Sequence, residues 1–245
     1  MSLDIIEGVT ETAPKVMIYG LAGVGKSTLA SKFKRPLFFD FEGGLNYLGV
    51  KRTPQYQDIE EFFKDLVSLY RAKERQFDTI VIDSADWMMR KMVEQASGMK
   101  TADEKDPTKK KVDLTMTLNR SNGGYGNGKQ VLENYVRSKM LPWLVELNKK
   151  GYGIVLVAHA DKKNIMDADG VDIEQIVPKI DVNTMNIFVE WCDNVLYLKK
   201  DDNGKRTLLL ESDGTALAKN RLGKTGEVDI DEVDINEVLK PNKEK

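Results

Sequence analysis

Cysteine and histidine are almost missing: Cys192 and His159 are the only two in 245 residues. One cysteine cannot close an intrachain disulfide, and one of each cannot build a Cys/His metal cluster. Cys192 lies in the apolar run IFVEWCDNVLYL and is expected as a buried packing thiol. Long apolar stretches are lacking too, since no run approaches the roughly 18 residues of a membrane span. No membrane partner is expected. The N-terminus shows no basic segment followed by an apolar one, so secretion is not expected and the cytoplasm is the expected compartment. A dominant sign of charge is also lacking, with a net charge of −2. That value hides an uneven layout: residues 227–245 carry seven acidic and three basic side chains, leaving the rest at +2. A mildly basic body neither demands nor excludes nucleic acid, and the acidic end is expected to be solvated. The functional alternative is that this end competes for sites a polyanion would occupy.

What is present is alternation. KVMIYG is a short apolar run ending at Gly20, followed by the helix-compatible KSTLASKF. PLFFD reads as a second buried strand, with Pro36 at its start where a missing N–H is tolerated. Asp58 with Glu61 three residues on forms a capping box, and Ile59, Phe62, Phe63, Leu66 and Tyr70 then line one helix face. DTIVIDS is a third strand, ADWMMRKMVEQA a helix, and YGIVLVAHA a fourth strand ending at His159. Between them, Leu132, Val136, Met140, Leu144 and Leu147 keep near-helical spacing, and Pro142 is expected to kink or divide that helix. NVLYLKK and KRTLLLES, joined across Asn203-Gly204, predict a C-terminal antiparallel hairpin. The order predicts an α/β fold with a mainly parallel sheet covered by helices on both faces. Residues 98–128 and 161–178 lack apolar periodicity; the first is expected to be mobile and the second a polar loop.

The chemistry begins at Gly20-Leu21-Ala22-Gly23-Val24-Gly25-Lys26-Ser27, with Thr28 behind it. Glycines let successive backbone N–H groups converge on phosphate oxygens at a helix N-terminus; Lys26 supplies charge to the β and γ phosphates, and Ser27 can ligate Mg²⁺. ATP and Mg²⁺ are the expected cofactors. Asp83 ends the third strand, where an acid can hold Mg²⁺ through water, but Ser84 follows where many motor ATPases place a glutamate. Another base is needed. In FFDFEGG, Asp40 and Glu42 stand two residues apart and share a face if the chain stays extended. With parallel neighbours about 4.8 Å apart, Glu42 can approach a water in line with the γ phosphate.

This arrangement resembles the RecA-type ATPases, whose catalytic glutamate stands at the end of the strand after the phosphate-loop helix. AKNRLG, Ala218 to Gly223, is similar to the KNRFG segment of RadA proteins and to the Lys-x-Arg finger of DnaB-type helicases. The resemblance implies that Lys219 and Arg221 reach the nucleotide of a neighbouring subunit, and that His159 senses the γ phosphate. It also implies that residues 121–128 and 161–178 contact DNA, through Arg120, Tyr125 and Lys129 and through Lys162 and Lys163. Over Pro14 to Val228 the chain is similar to the phage-encoded RecA-core ATPases, which include the Sak-four group of single-strand annealing recombinases. The implied organisation is an extension at 1–13, a RecA-like core at 14–228 and an acidic tail at 229–245. The implied activity is DNA-stimulated ATP hydrolysis in a ring or filament of identical copies in the cytoplasm of a bacterium or phage-infected host. Single-stranded DNA is the implied partner, with a single-strand-binding protein as a further one.

Other readings stay open. An ATP-dependent clamp, loader or replication accessory would use the same phosphate loop. A P-loop kinase would use residues 98–128 as a lid, which ought to carry several arginines, and only Arg120 is there. A GTPase could use Asp40-Phe41-Glu42-Gly43, but NKKG at 148–151 lacks the aspartate of a guanine reader and precedes its strand.

Overall fold

The computed structural model describes residues 3–5, 7–8, 10, 12–98, 100–102, 110–112, 117–166, 170 and 172–241. In chain order these form β1 (Lys15–Gly20), α1 (Lys26–Ala30), β2 (Pro36–Asp40), β3 (Lys51–Arg52), α2 (Ile59–Arg71), β4 (Thr79–Asp83) and α3 (Ala85–Ala96). A small antiparallel ribbon follows, β5 (Lys100–Ala102) with β6 (Lys110–Val112), then α4 (Asn127–Tyr135) and α5 (Leu141–Lys149). The remainder is β7 (Gly153–Met166), β8 (Asp172–Pro178), α6 (Val182–Trp191), β9 (Asn194–Lys200), β10 (Arg206–Leu209), β11 (Lys219–Asn220), β12 (Glu227–Asp229) and α7 (Ile235–Val238).

The main sheet runs β12-β10-β9-β1-β7-β4-β2-β3. From β9 to β3 every neighbouring pair is parallel, and β10 and β12 continue it antiparallel. The fold is therefore α/β and mainly parallel, with the expected C-terminal hairpin as β9–β10. Alternation along β1 explains the two cores: Met17 and Tyr19 face one side, Val16 and Ile18 the other. The larger core is covered by α2 through α6, the smaller by α1 and the C-terminal segment. Being buried on both faces, the strands read as continuous apolar runs.

Local chemistry explains the boundaries. Asp58 caps α2 by accepting from the Glu60 N–H at 3.0 Å, while Glu61 accepts from the Gln57 N–H at 3.4 Å. Ile59, Phe62, Phe63 and Leu66 are buried and Tyr70 packs at the margin. Between α4 and α5 the helix widens into one π-type turn, Val136–Met140, just ahead of Pro142. The ring cannot donate to the turn before it, and the π-type turn absorbs that loss within a run of helical backbone that continues from Asn127 to Lys149, so the helix is not broken as expected.

Two further expectations need correction, and a third falls partly outside the described residues. Residues 161–178 are not a loop, because β7 runs on past the sheet to Met166 and pairs antiparallel with β8 from Ala160↔Pro178 to Met166↔Asp172. Positions 167–169 and 171 lie outside the described residues. The segment 98–128 carries the β5–β6 ribbon and the turn that opens α4; positions 99, 103–109 and 113–116 lie outside the described residues, so the expected mobility is not addressed there. The acidic end is not simply solvated: β12 pairs with β10, and Ile230, Ile235 and Val238 are buried in the smaller core. Positions 242–245 lie outside the described residues, as do 1, 2, 6, 9 and 11 of the N-terminal extension.

Candidate nucleotide site

The C-terminal ends of β1, β4 and β2 line up beside His159, midway along β7. Gly20 is in register with His159, and Asp40 with Asp83. Gly20 is glycine for a packing reason, since a Cβ there would lie 2.3 Å from the Leu198 carbonyl oxygen on β9. The loop after it turns through left-handed backbone at Gly23 (φ 74°) and Gly25 (φ 100°), which glycine adopts without strain. A cavity of about 320 Å³ opens there, lined by Ala22, Gly23, Gly25, Lys26, Ser27, Thr28, Asp40, Glu42, Gly44, Leu45, Asp83 and His159. Val24 of the phosphate loop instead turns into the smaller core, while Leu21 is exposed.

Within the cavity the charges are arranged tightly. Lys26 is buried and donates to the carbonyls of Gly20 at 3.0 Å and Leu21 at 2.9 Å. Burial pulls its ammonium below the usual range, against the carboxylates of Asp83, Glu42 and Asp86. Burial pushes Asp83 up to about 6, with repulsion from Glu42 and Asp40 adding to it, and with the Ser27 hydroxyl and Lys26 opposing it. Its Oδ2 is buried without a hydrogen-bond partner. Such an oxygen, beside Ser27, fits a hydrated divalent cation brought in by phosphates. No set of three or more acidic, histidine or cysteine ligands occurs among the described residues.

Glu42 and His159 meet across the mouth. Glu42 Oε1 lies 3.8 Å from His159 Nε2, too long for a direct hydrogen bond. Asp40, by contrast, bends away: its Oδ1 accepts from the Gly43 N–H at 2.6 Å, so it closes the turn that presents Glu42. Asp86, in the first turn of α3, was not anticipated. It is 5% exposed and its carboxylate contacts the His159 ring. An acid in the first turn of a helix reads as a partner of the helix dipole, and only the fold reveals its burial.

Lys219 and Arg221 lie elsewhere in this chain. Lys219 donates to the carbonyls of Val189 at 2.7 Å, Glu190 at 3.0 Å and Cys192 at 2.8 Å, which uses all three ammonium protons at the end of α6. Arg221 contacts Asp193 at 3.3 Å and the Glu190 carbonyl at 3.2 Å. Asp193 also holds Lys15, the first residue of β1. Both cations thus sit at the strand ends opposite the phosphate loop, roughly 17 Å away by the rise of β1. They do not complete the site of their own chain. The expected DNA-facing residues divide: Tyr125, Arg120 and Lys129 are exposed around the turn before α4, whereas Lys162 pairs with Glu174 at 2.6 Å and Lys163 donates to the Ile180 carbonyl at 2.7 Å. Cys192 is fully buried and its thiol is pushed up to about 12, as expected of a packing group.

A glycine-rich loop between β1 and α1, a buried lysine and a strand-ending acid with a spare oxygen define a P-loop nucleotide-binding domain. The chain belongs to the AAA-domain family, whose model matches residues 12–222. A relative is the SPbeta prophage-derived uncharacterized protein YorG of Bacillus subtilis strain 168, 24% identical over 216 residues that cover 82% of this chain. The chain spans 57% of the length of that relative. The crystal structure of the RadB recombinase is similar over 88% of this chain and 86% of its own, at 16% identity and a TM-score of 0.44, a likeness too loose to speak to function. No helix among the described residues is long and apolar enough to cross a membrane.

Proposed function

We propose that this protein hydrolyses ATP between identical copies and couples the hydrolysis to single-stranded DNA, in recombination or annealing of the phage type. The observation that carries this reading is the placement of Glu42 in one cavity with Lys26, Ser27 and Asp83, opposite His159. The phosphate-loop N–H groups and Lys26 hold the phosphates of the nucleotide; Ser27 and Asp83 would hold Mg²⁺, which would supply charge neutralisation for phosphoryl transfer. Glu42 takes a proton from the attacking water, and His159, at the root of the β7–β8 hairpin, relays the state of the γ phosphate to that hairpin. On this reading Arg221, half-exposed at the strand ends opposite the pocket, serves the site of another copy, and Lys219 supports it by holding the end of α6. The prophage origin of the relative agrees with a phage role.

The test is the ATPase rate with and without single-stranded DNA for the wild type, Glu42→Gln and Arg221→Ala. Both variants should lose most of the turnover, by about 10²-fold or more for the base. A rate that ignores DNA and both substitutions removes the proposal. A second reading, a clamp, loader or replication accessory, is favoured by the internal pairing of Lys162 and Lys163, which leaves the hairpin with little spare positive charge. On that reading ATP turnover survives and DNA stimulation does not appear.

A further inference from the structure

Three groups converge at the cavity mouth, and one of them lies behind the other two. Asp86 directs both carboxylate oxygens at His159: Oδ2 lies 3.0 Å from Nδ1, and Oδ1 accepts from the backbone N–H at 3.1 Å while lying 3.3 Å from Nδ1. The His159 carbonyl is fixed as well, accepting from the Lys179 N–H at 2.8 Å. A carboxylate can only accept, so Nδ1 carries the proton and Nε2 is the nitrogen turned toward Glu42. Ser84 and the Lys26 charge act on this carboxylate too, but both of its oxygens lie within hydrogen-bond reach of His159.

We infer that Asp86 is a positioning residue for the nucleotide site: it fixes the ring orientation and the proton location of His159, so that Nε2 faces Glu42 and the terminal phosphate. Burial alone would raise its carboxyl, but the hydrogen bonds and charge from His159 outweigh this and hold it below the usual carboxylate range. Asp86 therefore stays ionised behind the ring. Asp86 also lines a second cavity, of about 380 Å³, with Met89, Arg90, Leu132 and Lys179. The inference rests on the roles given above to Glu42 and His159.

Because His159 is the only histidine, untagged protein labelled with ¹⁵N gives one imidazole to observe. The wild type should show a protonated Nδ1. Asp86→Ala should abolish that pattern, and Asp86→Asn, which keeps an acceptor of the same shape, should retain part of it. Turnover should fall about tenfold or more in Asp86→Ala, with recovery in Asp86→Asn and the nucleotide KM little changed. A wild-type imidazole protonated at Nε2 instead overturns the inference without any variant. So does wild-type turnover in a folded Asp86→Ala protein, whatever its imidazole signals. If Glu42→Gln and His159→Ala keep full turnover, the reading of the site fails, while the nitrogen signals still report whether Asp86 orients the ring.

Discussion

At the scale of single residues, Asp83 carries a buried charge that opposes stability. Its carboxyl titrates at about 6 against the usual 3.8, because burial disfavours the charged form. The folded state then binds a proton more tightly than the unfolded one, so stability falls as pH rises from 3.8 toward 6, and above 6 the charge is a standing cost. Asp83→Asn should stabilise the nucleotide-free protein at pH 7 by of order 1–3 kcal/mol, with the gain shrinking as pH approaches 4. Thermal unfolding across that range checks it, and the same variant should lose tight Mg²⁺-dependent ATP binding. Much at this scale was legible. The phosphate loop is a local pattern of glycines, lysine and serine, and such patterns survive without tertiary knowledge. Asp86 was not, because nothing in ADWMMRK separates a buried acid from a solvated one.

At the scale of elements, the buried strands were legible because both faces are covered and the sequence runs apolar without interruption. The outer half of β7 and all of β8 were not. Residues 161–164 are largely exposed, so the projecting hairpin lacks the period-two alternation by which a half-buried strand is recognised. The end of the chain did carry a signal: Asp234 as a cap, then Ile235, Val238 and Leu239 at helical spacing. The count of acidic residues hid it. If the turn before α4 grips a strand, Arg120→Ala and Lys129→Ala should each lower the salt dependence of single-stranded DNA binding by about 0.7 in log–log slope. Titrations at several salt concentrations measure this directly, and an unchanged slope would remove those side chains from the contact.

At the scale of the whole molecule, the C-terminal segment closes the smaller core over the phosphate-loop helix, joining Leu29 and Ala30 in one cluster. Ile235→Ala should therefore cost about 2–5 kcal/mol in denaturant unfolding, whereas Glu232→Ala, exposed on the same segment, should cost almost nothing. A loose tail would make the two equal. The separation of Arg221 from the phosphate loop gives a further check. Lys26→Ala and Arg221→Ala proteins, each inactive alone, should regain turnover on mixing, since some junctions then combine an intact pocket with an intact arginine. Turnover that stays absent in the mixture argues against sharing between copies.

If Arg221 serves a neighbour's pocket as proposed, its place at the strand ends opposite the pocket would make each molecule a polar building block. An open row of n such blocks contains n−1 finished junctions, with one vacant pocket at one end and one idle arginine at the other, whereas a closed circle contains n. Specific activity per protomer in a row climbs as the row lengthens and levels off only slowly; in a circle it switches on once, at closure. The dilution curve of the hydrolysis rate therefore distinguishes the two geometries without any image of the assembly.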